Sequence, residues 1–212
     1  MLNFIRLLCV IVSTSAFAVD LKLEDIKVMK KMLNGQRIQY LFRSYDVEVL
    51  HLDSKEFPGS RIANLYSKEG DAKVMRTLAI VDYIDPVDTK VMSEHKEIMG
   101  GKPIGKAFDD AGWAVIKEPV FFGELPLSGP VKKWMDVENL LEPKGSLHIY
   151  DFKVKREEGP VIPYCKIIEI HSPLYLSKAS LMSLYPEEFP KHNVDNQNFS
   201  KRLSNFLETE FK

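Results

Sequence analysis

Three cations stand inside apolar, strand-like runs, and they are where this sequence could do chemistry. Arg76 interrupts Val74-Met75-Arg76-Thr77-Leu78-Ala79-Ile80-Val81, Lys166 sits in the run from Val161 to Ile170, and Arg61 opens a third strand. A cation in such a run either points to solvent from an open sheet face or is buried against an anion. Taken singly, each is most simply a solvated charge. Three in strands of one sheet point instead to recognition of a carboxylate or phosphate, the main reason arginines are kept inside.

Other chemical signatures are missing. The histidines at 51, 95, 148, 171 and 192 show no HExxH or other tight ligand spacing, so no metal is expected. Gly100 to Gly105 is glycine-rich but follows a helical stretch and lacks phosphate-loop spacing, and no G-x-S-x-G elbow is present. Asp109-Asp110 fits a solvated turn, and Asn198-Phe199-Ser200 fits a glycosylation acceptor. Cys165 is flanked by apolar residues and reads as an inert buried thiol rather than a nucleophile.

The elements that must position these residues alternate irregularly. Asp20 to Leu33 has helical spacing, with Asn34-Gly35 as its stop, and Arg37 to Leu52 alternates like a strand. Pro58-Gly59 marks a turn. Arg61 to Ser67 and Lys73 to Tyr83 form two strands around the Lys68-Glu69-Gly70-Asp71 hairpin. Asp85-Pro86 opens a helix that Gly100-Gly101 stops, and a short helical turn ends near Gly112. Ala114 to Phe122 is extended, and 123 to 146 reads as a loop with an amphipathic stretch from Trp134 to Leu141. Strands then run from His148 to Val154 and from Val161 to His171. A C-terminal surface helix covers 196–211, striped by Phe199, Leu203, Phe206, Leu207 and Phe211. Hairpins with scattered helices predict an α+β fold, a mainly antiparallel sheet with flanking helices. No repeat or strand–helix alternation is present.

Residues 1–18 read as a signal peptide: Arg6, an apolar run from Leu7 to Val12, and a small-x-small ending at Ala16-Phe17-Ala18. The apolar run is too short to span a bilayer, so no stable membrane insertion is expected after cleavage. The expectation is an exported chain, periplasmic or secreted, with 19–212 as one domain. The whole sequence has 29 basic and 30 acidic residues; losing Arg6 gives a net charge of −2. That balance does not favour nucleic acid. Cys9 would leave with the signal, so Cys165 would have no internal disulfide partner.

Three ordered segments resemble the chorismate–pyruvate lyase family, whose fold is shared with ligand-sensing domains of some bacterial transcription regulators. They are Arg61-Ile62-Ala63-Asn64-Leu65 through Gly70 to Arg76-Thr77, then Gly101-Lys102-Pro103-Ile104-Gly105, then Gly159-Pro160 through Ile168 to Ser172-Pro173-Leu174-Tyr175. Extra length lies at 85–102 and 121–147. The resemblance implies an interior pocket for a small aromatic acid. It would place Arg61 on the carboxylate, Arg76 near the pocket, Ile104 over the ring, and Met29 or Met32 on the first helix. It implies loss of pyruvate from an enol ether to leave 4-hydroxybenzoate, with no metal or cofactor.

One departure matters. Where the family has a ligand-facing glutamate in the last strand, counting from Gly159 gives Lys166, and Glu169 falls on the opposite face unless a slipped strand or a bulge restores it. That exchange, together with export away from a cytosolic substrate, predicts a binding protein for a small anionic ligand, aromatic ones included, without lyase activity. Arg61, Arg76, Ile104, Lys166 and Met29 are its expected ligand-binding residues. An active lyase is one alternative. A secreted interaction module is another, binding a protein partner through an exposed 121–147 insertion bearing Phe121, Phe122, Leu125, Leu127 and Trp134.

Overall fold

A computed structural model describes residues 21–52, 60–193 and 197–210. The expected signal peptide and the Pro58-Gly59 turn lie outside the described residues. Six strands form one antiparallel sheet in the order β1-β2-β3-β6-β5-β4. They are β1 (Asp46–Leu52), β2 (Ser60–Glu69), β3 (Ala72–Tyr83), β4 (Ala114–Pro126), β5 (Lys144–Lys155) and β6 (Ile162–His171). The α+β prediction with an antiparallel sheet and flanking helices is what the structure shows.

The helices divide between the two sheet faces. On one face α5 (Gly129–Trp134) and α8 (Gln197–Glu210) cover Ile62, Leu78, Ile80, Leu147, Ile149, Ile168 and Ile170. The C-terminal stripe serves this purpose: Leu203, Phe206 and Leu207 are buried there, each burial contributing on the order of 1.5–3 kcal/mol. The other face carries α1 (Leu23–Met29), α2 (Asn34–Phe42), α3 (Met92–Met99), α4 (Ile104–Asp110), α6 (Lys178–Leu184) and α7 (Phe189–His192). Two apolar clusters form beneath them. One gathers Phe108, Trp113, Phe152 and Tyr164 near α3 and α4; the other gathers Met29, Ile38, Phe122, Tyr175 and Leu181 near α1, α2 and α6.

Several local expectations change. Residues 34–42 form a helix, not the start of a strand. Of the side chains that alternate as Ile38, Tyr40 and Phe42, the first and last also stand four apart, at helical spacing, and packing of Arg37, Ile38 and Asn34 inside the protein decides for the helix. Asn34-Gly35 therefore begins α2 rather than ending α1. The helix expected from Asp85 starts later, through a 3₁₀ turn at Thr89–Val91, where the Asp88 carboxylate accepts from the Lys90 N–H at 2.8 Å. The predicted 123–146 loop is largely ordered: β4 runs on to Pro126, α5 follows, and β5 begins at Lys144. The Lys68-to-Asp71 hairpin turn is present, with Gly70 at φ +61° as such a turn requires.

An irregularity in β4 matters for the site. The register between β4 and β5 shifts between Pro119 and Phe121, so Lys117 opposes Phe152 while Phe122 opposes His148. Without the bulge these two β4 residues, odd and even in number, would face opposite sides. With it, both face the helix-rich side.

Candidate functional site: a cavity and a buried histidine–glutamate cluster

Between α2 and α4, over the sheet, lies a cavity of about 570 Å³, within the range of about 300–1,000 Å³ usual for small-ligand pockets. Val47, Leu65, Val81, Ile104, Phe152 and Ile167 make much of its wall apolar. Gln36, Gln39, Arg43, Lys106 and Asp109 also line it and are exposed, so its mouth lies between the two helices.

The start of α2 is fixed by side chains. The Asn34 amide donates to Thr77 Oγ1 at 3.1 Å and accepts from the Tyr175 hydroxyl at 2.7 Å, pinning the helix to β3 and to the segment after β6. Gly35 is needed where Tyr45 packs, since a Cβ would fall 2.3 Å from the ring carbon bearing the hydroxyl. Arg37 ties α2 to α1 and α6, donating from Nε to the Met29 carbonyl at 2.9 Å and from a terminal nitrogen to the Tyr185 hydroxyl at 3.0 Å.

The three strand cations do not converge. Arg61 lines the cavity and is 2 % exposed. It donates to the carbonyls of Ile98 and Lys102 at 3.2 Å each and of Gly101 at 3.4 Å, and among the described residues no carboxylate lies within ion-pairing distance of it. Arg76 is placed elsewhere. It stacks on Phe42, 3.8 Å from the ring centroid, donates to Ser67 Oγ and pairs with Glu69. Lys166 is also outside the cavity: it faces the α5–α8 side and pairs with Asp151, its cross-strand neighbour, at the half-exposed rim of that face. Ile104 lines the cavity, whereas Met29 is core and Met32 is the lining methionine.

The polar groups that do meet at the floor of the cavity are Lys117, Tyr150 and Glu169. Tyr150 donates to Glu169 Oε1 at 3.0 Å, and Lys117 Nζ lies 4.8 Å from the centroid of the Tyr150 ring. Burial pushes the Lys117 ammonium down to about 8, against the attraction of Glu169. Burial opposes the charge on Glu169 too, but Lys117, His148 and His171 together hold its carboxyl well below the usual range. Glu169 is therefore an ionised acceptor deep in the wall. Its i+2 relation to Ile167 puts both on the cavity face, the face that Lys166 leaves. Lys117 could have been found as a lone lysine in the apolar-flanked stretch Ala114 to Phe122. The bulge that aims it could not.

Behind Glu169 a second group of atoms converges. His148 of β5 is the register partner of Glu169, and His171 follows Glu169 by two residues in β6. Glu169 Oε2 lies 3.8 Å from His148 Nδ1 and 3.7 Å from His171 Nε2. Burial drives both imidazoles toward the neutral form, His171 down to about 3. These three side chains could hold a metal ion.

Elsewhere, Cys165 is buried and free, and burial raises its thiol well above the ordinary value, as suits a core residue. Phe122, Leu125 and Leu127 are buried and Phe121 and Trp134 half-buried against the core, so these residues do not form an exposed patch on the 121–147 segment. No helix among the described residues is long and apolar enough to cross a membrane. No known protein-family model matches the chain, and no curated protein matches it.

Proposed function

We propose that this protein binds a small anionic molecule with an apolar, aromatic-sized body in the cavity between α2 and α4. The carrying observation is Arg61: a buried guanidinium on the wall of a mostly apolar cavity, hydrogen-bonded to three carbonyls and, among the described residues, paired with no carboxylate. A buried charge without a counter-ion is costly, and a ligand carboxylate would supply the missing negative charge. Lys117 adds a second cation at the floor, and Ile104 with Phe152 offers apolar contact to a ring. The likeness of the segments around Arg61, Ile104 and Ser172 to the chorismate–pyruvate lyase family supports the same ligand class. The test is calorimetric titration of the folded chain with 4-hydroxybenzoate, benzoate and cyclohexanecarboxylate. Saturable binding of at least one, lost in Arg61→Met, is expected; no binding of any of them would overturn the proposal.

One observation favours the active lyase as a second reading. The resemblance calls for a ligand-facing glutamate in the last strand, and Glu169 lines the cavity in place of Lys166. Elimination of pyruvate breaks the ether C–O bond, removes a ring proton and adds a proton to the departing enolpyruvate. An ionised Glu169 fits the acceptor of the first proton and the Lys117 ammonium fits the donor of the second. Incubation with chorismate, followed by 4-hydroxybenzoate absorbance, decides between the two; no turnover leaves binding alone.

Export belongs to this proposal through residues 1–18 only. Mass spectrometry of the protein recovered from outside the cytosol should give an N-terminus at Val19, and an intact Met1 in the cytosol would reject it.

A further inference from the structure

We propose that His148, Glu169 and His171 form a binding site for one divalent transition-metal ion of the zinc class, held behind the cavity wall. The inference does not depend on the cavity ligand.

Each of the three side chains is at least nine-tenths buried, and each presents a polar atom with no hydrogen-bond partner: His148 Nδ1 and Nε2, Glu169 Oε2 and His171 Nε2. Unpaired polar atoms at such depth are rare and need an explanation. Here they are not scattered. One ligand atom from each side chain lies within 4.8 Å of the others, with the carboxylate oxygen 3.7–3.8 Å from a nitrogen of each imidazole. An ion bonded at about 2.0–2.2 Å separates tetrahedral ligands by about 3.4 Å, so the two oxygen–nitrogen edges need to close by only a few tenths of an ångström, and the nitrogen–nitrogen edge, within 4.8 Å, by no more than about 1.4 Å.

The surroundings are those of an oriented ligand set. His171 Nδ1 lies 2.9 Å from Thr77 Oγ1, which Asn34 holds in place, and Tyr150 donates to the second oxygen of Glu169. In the tautomer that donates from Nδ1 to Thr77, His171 Nε2 turns a lone pair toward an anionic oxygen. A cation between them reconciles the two. With His148 Nδ1 also unprotonated, all three converging atoms are acceptors, and a single water with two protons would satisfy only two of them. The His148 ring is stacked on Phe122 at 4.7 Å, which fixes its plane.

Charge selects the class of ion. The site has one carboxylate, and Lys117 and Arg37 already act on it. Calcium and magnesium, which need several oxygen ligands, are disfavoured, whereas zinc, cobalt and iron(II) suit two neutral imidazoles and one carboxylate. Three protein ligands leave at least one position open. The sequence hid the site because its ligands are contributed by two strands, and only the β5–β6 register brings His148 level with Glu169 and within reach of His171.

The test uses the tag-free full chain, stripped with chelator and titrated with Co²⁺ as the probe. One equivalent should bind saturably with ligand-field absorption, and Zn²⁺ should displace it. His148→Phe preserves the stack on Phe122 while removing both nitrogens, and it should abolish the signal in a protein that remains folded. Thr77→Val should weaken binding about tenfold, the lower end of an outer-partner effect. X-ray absorption of the zinc-loaded wild type gives a count that needs no variant: two imidazole ligands are expected. Absence of saturable binding, fewer than two imidazoles, or undiminished binding in folded His148→Phe would each overturn the assignment.

Discussion

Lys166 pairs with Asp151 directly across the β5–β6 register, on the face opposite Glu169. That relationship settles which charge enters the cavity. Strand alternation allows only one of two residues three apart to face a given side, and in β6 it is the glutamate that faces inward.

The first prediction contrasts Arg61 with Lys166. Lys166→Ala removes a pair that is about two-fifths exposed and should change stability by no more than about 1 kcal/mol, with carboxylate binding unaffected. Arg61→Met should weaken binding by more than about tenfold, the equivalent of losing a charged hydrogen bond of about 1.5–3 kcal/mol. Calorimetry on both variants checks this; equal effects would remove Arg61 from the site.

Glu169→Gln should destabilise the protein by about 3–5 kcal/mol, because Lys117 and Arg37 would lose the one buried anion acting on both. The pH dependence follows. The folded carboxyl lies below its unfolded value of about 4.3, so its contribution is complete above that pH and drains as pH falls toward the folded value. Urea unfolding between pH 3 and pH 7 should show wild-type stability falling more steeply at the acid end than that of Glu169→Gln.

His171 acts over a higher window. Its folded value of about 3 lies below the unfolded value of about 6.5, so the unfolded chain binds the proton first. Stability is complete above about pH 6.5 and falls as pH drops toward 3. His171→Gln should flatten the curve over that window; a curve parallel to wild type would refute the assignment.

Lys117 gives a spectroscopic prediction. In a carbon-labelled lysine NMR titration, one resonance should have its midpoint at about pH 8 while exposed lysines titrate near about 10.4. Between those values the unfolded state holds the proton that folded Lys117 has lost, so stability rises with pH there. Lys117→Met should erase the low midpoint.

Gly35→Ala tests the cavity wall. The new Cβ would fall 2.3 Å from the Tyr45 ring, so the ring must leave its place or α2 must shift. Overpacking of this kind costs about 1–3 kcal/mol, more than the up to about 1 kcal/mol gained from alanine's helix propensity. Thermal unfolding should show a net loss, with ligand affinity reduced because Tyr45 lines the cavity.

The sequence by itself determined the parts of this protein governed by neighbours in the chain. Gly70 marked a turn between two runs of strand residues, Gly100-Gly101 stopped a helix, and the stripe of Leu203, Phe206 and Leu207 required a helix with one buried side. Arg61 was legible for the same reason, since a guanidinium at the start of an apolar strand needs an explanation wherever the strand lies. Residues 34–42 were ambiguous because Ile38 and Phe42 satisfy both periods, and only the buried Arg37 and Asn34 contacts select the helix.

The site itself was decided by tertiary structure. Arg76 and Lys166 looked like partners of Arg61, yet each found an acid elsewhere: Glu69 across the hairpin and Asp151 on the next strand. Lys117 reaches the cavity face with Phe122 only through a bulge, and His148 meets Glu169 and His171 only through the pairing of β5 with β6. Spacing along a chain sets which face a side chain can take. Which residues lie across from it depends on register, and register is set by the packing of the whole sheet.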